Sequence, residues 1–395
     1  PSTPGGQDVD LVEGGGFDAV VGNPPYVSAI ELNKILSSYE KPYWKDRYES
    51  ASGAYDLYIL FLEMAPLLTR IGGCSGLITP NKFLSAPYGE QIRRHLNKKY
   101  TVSEFYDLSR NNPFDDPSVY PIITIVKNDE GNLNYPIRVA RVNRAEVSTW
   151  EYNKEDLSVF PEMLWGFLLL RPEEYPLLRS IVDSSRILDE VGEVVASSTA
   201  SEADDYNKAI VERSVAKKKG AALIDTGTIN RFESLWDLLP NEPFLLFDSK
   251  FVPERRQKQY TQPKIIFSKL ALRIEAVCDL SGQYASRNTN FAFPKEYNLL
   301  YYASVCNSWL MSWVYQGYFG ALIMGGGYAQ YQAPQLRLLP IRNITFITPP
   351  AERAQRTQAA IASYDAGDNG ALLAQVQAAL DAEQTDVVHD LLAHL

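Results

Sequence analysis

Four residues in the stretch FDAVVGNPPY, Asn23-Pro24-Pro25-Tyr26, combine groups that can act on a flat, amine-bearing ring. Asn23 offers a side-chain carbonyl. The Pro24 carbonyl is followed by Pro25, which has no N–H to pair with it. Two acceptors aimed at one exocyclic amine draw its lone pair out of conjugation with the ring. The nitrogen can then attack an activated methyl group with neither a strong base nor a metal. Tyr26 adds a π-face, worth about 1–3 kcal/mol per stacked base. A base inside a duplex reaches such a loop only by flipping out of the stack.

These groups need a rigid mount. Phe17, Ala19, Val20 and Val21 read as a parallel strand covered on both faces. Gly22 relaxes the backbone, and the two prolines then hold an extended loop at the strand's carboxyl end, where open α/β sheets place ligands. GAYDLYILFLEMAPLLTR follows with apolar residues at helical spacing, and GGCSGLITP as a turn and a short buried strand. YGEQIRRHLNKKY reads as an amphipathic helix, VSEFYDL as a strand, NNPFDDPSVY as a loop and PIITIVKN as the strand leaving it. This order builds an α/β sheet with one antiparallel edge strand.

The expected organisation is a partial catalytic domain over 1–145, a helical connector over 146–186, an α+β domain over 187–348 and a helical tail over 349–395. In the α+β part, LDEVGEVVAS, ALIDTGTINRF, PKIIFSK and IEAVCDL are strand-like, and YNLLYYASVCNSWLMSWVYQ reads as one buried helix. The tail ends on TDVVHDLLAHL, whose apolar face Val388, Leu391, Leu392 and Leu395 stops unfinished and points to a longer chain.

With 45% apolar and 22% charged residues in 395, the composition is that of a folded, multi-domain protein. No apolar run reaches membrane-spanning length and no signal peptide opens the chain, so a cytoplasmic protein without membrane partners is expected. Cys74, Cys278 and Cys306 are too scattered to form a metal set and read as reduced thiols. A formal net charge of −10 argues at first against nucleic acid. Charge is unevenly placed, however: residues 206–275 hold 13 Lys and Arg against 8 Asp and Glu, and residues 351–395 hold 2 against 7. A phosphate-binding middle therefore stays open.

FDAVVGNPPYV resembles the catalytic motif of amino-methylating, S-adenosylmethionine-dependent methyltransferases. With GAYDLYILFLE, GGCSGLITPNKFLSAPYGEQIRRHL and NNPFDDPSVYPIITIVK behind it, the chain resembles the TaqI-like, gamma-class adenine-N6 DNA methyltransferases, in the single-chain type IIG restriction-modification branch. ALIDTGTINRFESLW, KIIFSKLALRIEAV and MGGGYAQYQAPQLRLLPI resemble that family's target-recognition domain. The resemblance implies the C-terminal half of a Rossmann-like methyltransferase sheet, then an α+β recognition domain and a helical tail. It implies that Asn23 and Pro24 hold a flipped adenine's amine, that Tyr26 and Phe114 sandwich its ring, and that the methyl moves by in-line displacement from S-adenosylmethionine. A methyltransferase of a non-cutting phage-defence system fits the same residues.

The family's Gly-rich donor-binding segment precedes the Asn-Pro-Pro-Tyr motif, and only 22 residues stand before Asn23 here. Neither Gly14–Gly16 nor Gly325–Gly327 joins a strand to a helix start. The expectation is a chain whose main donor motif is missing, inactive alone, partnered by an N-terminal methyltransferase half. No nuclease constellation is visible, so a nuclease domain would be a separate segment. Tyr58 is the candidate for lining the donor pocket, against a helix-packing role.

Lys250, Arg255, Arg256 and Lys258, with the run 217–219, are candidates for DNA phosphates. Arg287 and Asn288 are candidates for base edges, since Arg suits guanine and Asn adenine. His95 reads as helix surface. His389 and His394 fall on different helix faces, so no metal pair forms. Two other readings weigh in: a non-catalytic DNA-specificity module, and a protein-glutamine methyltransferase, which the large downstream domain disfavours.

Overall fold

In a computed structural model of the chain, residues 15–36, 40–114, 120–129, 135–143, 146–216 and 219–394 are described. Gly14, Lys217, Lys218 and Leu395 lie outside them. The chain forms two units: Pro1–Arg179 with Gln316–Gly325, and Ser180–Tyr315 with Gly326–Leu395.

The first unit is a six-stranded α/β sheet. Its strands are β1 (Phe17–Gly22), β2 (Thr69–Pro80), β3 (Thr101–Asp107), β4 (Pro121–Lys127), β5 (Ile137–Asn143) and β6 (Glu146–Tyr152), in the spatial order β1-β2-β4-β3-β5-β6. β1 runs parallel to β2 and β3 parallel to β5, and β5 and β6 pair antiparallel on either side of the expected boundary at 145. β4 is antiparallel to both β2 and β3. The expected antiparallel edge strand is thus an interior one. Its alternating Ile122 and Val126 are buried at 0% and 2% exposure, and both of its edges are hydrogen-bonded.

β1 departs from expectation in the opposite sense. Among the described strands it pairs only with β2, and Phe17 and Val21 are 64% and 85% exposed. A continuous apolar run calls for cover on both faces, but it does not supply the covering elements.

The helices are α1 (Ala29–Ile35), α2 (Glu40–Arg47), α3 (Tyr58–Leu67) and α4 (Glu90–Lys99). α3 is shorter than the run GAYDLYILFLEMAPLLTR suggests. It buries Tyr58, Ile59, Leu60 and Leu62 while the chain reverses at Leu68 into the long β2. The segment after β6 is fastened by Trp165, fully buried edge-on against Phe83 and Phe105, with its indole N–H donating to the Leu157 carbonyl at 3.0 Å. Burying one such ring contributes about 1.5–3 kcal/mol. His95 is corrected from helix surface to core. It is 4% exposed on α4, with Nδ1 2.9 Å from Glu49 Oε2.

The second unit holds two four-stranded sheets. One orders Ala276–Asp279, Lys264–Ser268, Thr289–Pro294 and Gly192–Ala196, and the other Tyr284–Ser286, Gly220–Ile224, Pro243–Leu246 and Ile210–Glu212. Ile266, Phe291, Tyr260 and Leu245 are among the residues of their core. The expected single helix after Tyr297 is two, Leu299–Cys306 and Trp309–Phe319. Asn307 causes the break: its side chain pairs with the backbone N–H and carbonyl of Ala276, both at 2.9 Å. Ser308 then starts the next helix by accepting from the Met311 amide at 3.0 Å. The tail is three helices, Pro350–Asp365, Asn369–Asp381 and Thr385–His394, whose small core is Ala360, Ile361 and Leu391. No described helix is long and apolar enough to cross a membrane.

Candidate active site and nucleic-acid interface

The Asn-Pro-Pro-Tyr loop leaves the carboxyl end of β1, where Gly22 is paired in register with Leu77 of β2. Pro24 is buried while Asn23 and Pro25 are exposed, so the loop is pinned at one proline and presents the Asn23 amide outward. Among the described residues no hydrogen bond engages the Asn23 side chain or the Pro24 carbonyl. Both acceptors are left for an external donor. The fixed φ of two successive prolines keeps that pair from collapsing onto the sheet.

Tyr26 is half-buried, and its hydroxyl donates to the Ile78 carbonyl on β2 at 3.0 Å. Burial pushes its phenol up to about 12, so it stays a neutral donor at physiological pH. The Phe114 ring stands 5.9 Å from the Tyr26 ring at 89°, and the Tyr58 ring 6.4 Å from it at 76°. Phe114 is brought there by its loop, which is turned by the Asn112 side chain accepting from the Phe114 amide at 2.9 Å. The two expected stacking residues therefore meet, edge to face rather than as parallel plates.

Tyr58 is corrected. It is 0% exposed, and its hydroxyl lies 3.1 Å from that of Tyr88, so it packs inside the domain and cannot line a donor pocket. Gly325–Gly327 form a tight turn with Gly326 and Gly327 at φ 84° and 85°, leading to the two-residue strand Ala329–Gln330. Among the described residues no Gly-rich loop joins a strand to a helix N-terminus. They do not fit a cradle for S-adenosylmethionine.

In the second unit, the expected phosphate ligands separate by burial. Lys250 and Lys258 are exposed. Arg255 is exposed but ion-paired with Glu202. Arg256 is corrected from a DNA contact to a structural one. It is 6% exposed and donates to Glu202 at 2.9 Å, to the Ala196 carbonyl at 2.8 Å and to Gln259 at 2.9 Å. Burial alone would raise the Glu202 carboxyl, but the bonds from Arg256 and the Thr199 amide outweigh it and hold the pKa at about 2.

Arg287 and Asn288 line a polar cleft of about 440 Å³ with Asn207, Asp225 and Lys269. Arg287 donates to Asn207 Oδ1 at 2.6 Å and to Asp225 Oδ2 at 2.7 Å, which holds the guanidinium in one orientation. Asn288 is exposed, with its backbone carbonyl held by Thr226 at 2.7 Å. Sequence reasoning missed Lys269, half-buried with its ammonium pKa lowered by burial, and the orienting pair Asn207 and Asp225. No local signal marks them, because the three come from separate stretches of chain.

Residues 7–114 match the family described as Eco57I restriction-modification methylase, and residues 223–341 match the TaqI-like C-terminal specificity domain. The Type II methyltransferase M.BstVI of Geobacillus stearothermophilus is 32% identical over 35% of this chain and 24% of its own length. The Type II restriction enzyme and methyltransferase RM.Eco57I of Escherichia coli is 29% identical over 30% of this chain and 12% of its own. The aligned part of the chain thus spans a quarter or less of these relatives. Among solved structures, the Type IIL restriction-modification enzyme MmeI in complex with DNA shares the fold, with a TM-score of 0.51 at 11% identity, over 98% of this chain and 54% of that one. The stretch that matches the Eco57I restriction-modification methylase model bears the Asn23–Tyr26 loop, and the stretch that matches the TaqI-like C-terminal specificity domain bears Arg287 and Asn288.

Proposed function

We propose that this chain is the base-holding and sequence-reading portion of a site-specific DNA adenine-N6 methyltransferase from a restriction-modification or phage-defence system, acting in the cytoplasm on double-stranded DNA. The observation that carries this reading is the unengaged Asn23 amide and Pro24 carbonyl beside the Tyr26–Phe114 ring pair, at the exit of a parallel strand. A flipped adenine offers an exocyclic amine for the two acceptors and a flat ring for the aromatics. Accepting both amine hydrogens localises the lone pair on N6 and makes it the nucleophile. Phe114 has to turn or slide from its edge contact for a base to lie between the rings.

S-adenosylmethionine supplies the methyl group and is held by residues other than the described ones. A donor half of the same protein, or a partner, fits this requirement. The exposed apolar edge of β1, with Phe17 and Val21, is a ready place for a further strand of that half. Alone, the chain is expected to be inactive. In the second unit, Arg287 and Asn288 read base edges from the polar cleft, while Lys250, Lys258 and Arg255 meet phosphates.

The test is to incubate the full-length protein with S-adenosylmethionine and duplex DNA, and to digest the DNA to nucleosides. N6-methyladenine should form, and Asn23→Ala should slow it by about 10²–10³-fold, the usual loss for one acceptor or donor aimed at a reacting centre. Asn23→Ala should leave melting unchanged, because the side chain is exposed and holds nothing. Methyl on cytosine, or on protein instead of DNA, would sink the reading.

A further inference from the structure

The loop that carries Tyr26 is clamped from behind by a partly buried polar chain. The Leu57 amide donates to the Val27 carbonyl at 2.9 Å. Two residues farther on, the Ala29 amide donates to Asp56 Oδ1 at 2.9 Å. The other oxygen of that carboxylate, Oδ2, accepts from the Tyr88 hydroxyl at 2.9 Å. Tyr88 has one hydroxyl proton, and it is spent on Asp56. The Tyr58 hydroxyl, 3.1 Å away, is therefore the donor to Tyr88. The Tyr58 ring, fully buried, makes the edge contact with Tyr26.

We propose that Asp56 and Tyr88 are positioning residues for the Asn23–Tyr26 loop, acting through Ala29 and Tyr58 to fix where the Tyr26 ring stands. Each group in the chain has one role. Asp56 uses its two oxygens on two elements, the start of α1 and Tyr88, and so ties the exit of the loop to the turn before α4. Tyr88 orients the Tyr58 hydroxyl, and with it the ring that backs Tyr26. Pro24 and Pro25 stiffen the entry to the loop, and Asp56 stiffens its exit. Tyr26 thus sits on a short arc held at both ends. Burial, with the Asp56 charge beside Tyr88, raises both phenols above their ordinary values, so the proton order in the chain persists at working pH. What Tyr26 then does to a base rests on the proposed function; the clamp itself does not.

The variants are Tyr88→Phe, Asp56→Ala and Asp56→Asn. In the full-length protein, amide hydrogen exchange by mass spectrometry is followed over residues 23–31, with β2 to β4 as internal reference. Tyr88→Phe and Asp56→Ala should speed exchange in that segment by about tenfold, the scale of one lost hydrogen bond, and leave the reference strands unchanged. Asp56→Asn keeps an acceptor for Ala29 and should restore part of the protection. Steady-state methylation of duplex DNA should then show kcat falling by about tenfold in Tyr88→Phe with KM for DNA within about twofold, because ring placement matters in the transition state. Unchanged exchange over 23–31 in both Tyr88→Phe and Asp56→Ala would overturn the proposal. So would a uniform rise across the sheet with kcat and KM untouched, which is the mark of a merely structural role. Absence of methyl transfer by the unsubstituted protein would sink the adenine reading instead, and the exchange result would still decide the clamp.

Discussion

Tyr26 has two separable jobs, and two substitutions divide them. Its hydroxyl donates to the Ile78 carbonyl at 3.0 Å, while its ring meets Phe114 at 5.9 Å and Tyr58 at 6.4 Å. Tyr26→Phe removes only the hydroxyl. The lost bond is partly buried and neutral, so the folded state should lose about 0.5–1.5 kcal/mol and the ring should stay. Tyr26→Ala removes the ring as well. If the ring stacks on an extrahelical base, the missing contact is about 1–3 kcal/mol, which is a weakening of about 5- to 150-fold. The assay is fluorescence-anisotropy titration of two duplexes, one fully paired and one with the target adenine mispaired, at a single stated salt concentration. Tyr26→Ala should erase the preference for the mispaired duplex and leave affinity for the paired one within about twofold, since phosphate contacts carry that term. Tyr26→Phe should keep the preference and lower the melting temperature slightly. The reasoning fails if Tyr26→Phe loses the preference as completely as Tyr26→Ala, which would mean that the hydroxyl is the working group. It also fails if Tyr26→Ala changes neither duplex.

Glu202 gives a pH prediction. Its carboxyl lies at about 2 in the folded state against an ordinary 4.5, so its contribution is fully present above 4.5 and is lost as pH falls through about 2. The stability gap between the unsubstituted protein and Glu202→Gln, about 1–3 kcal/mol at neutral pH, should therefore close between those limits in urea titrations. A gap constant over that window would refute the assignment. For the basic cluster, Lys258→Ala should reduce the slope of log affinity against log salt by about one and leave melting unchanged. Arg256→Ala should instead destabilise by about 1–3 kcal/mol, because it removes the buried partner of Glu202 and of the Ala196 carbonyl while Arg255 still faces Glu202. A changed salt slope with unchanged stability in Arg256→Ala would reverse that distinction.

What was legible in the sequence was local. The period of GEQIRRHL, the apolar runs of VSEFYDL and PIITIVKN, and the punctuation of Asn-Pro-Pro-Tyr each depend on residues within a few positions of one another. The corresponding elements lie at Glu90–Lys99, Thr101–Asp107 and Pro121–Lys127. The acceptors of the site were legible for the same reason, because a Pro-Pro pair defines its own carbonyl environment.

Tertiary structure decided which residues found partners. Arg256 and Lys258 are indistinguishable as charges two positions apart. Only the approach of Glu202, 54 residues earlier, makes one a buried strut and leaves the other at the surface. The same holds for β4: its composition suits an edge or an interior place, and the closure of β2 and β3 around it chose the interior. Tyr58 shows it most clearly. On its own helix it could have faced a ligand or the core, and Tyr88, 30 residues away, settled that it packs behind Tyr26. Hydrogen-bond partners and burial are set by contacts of long sequence separation, and no local pattern encodes them.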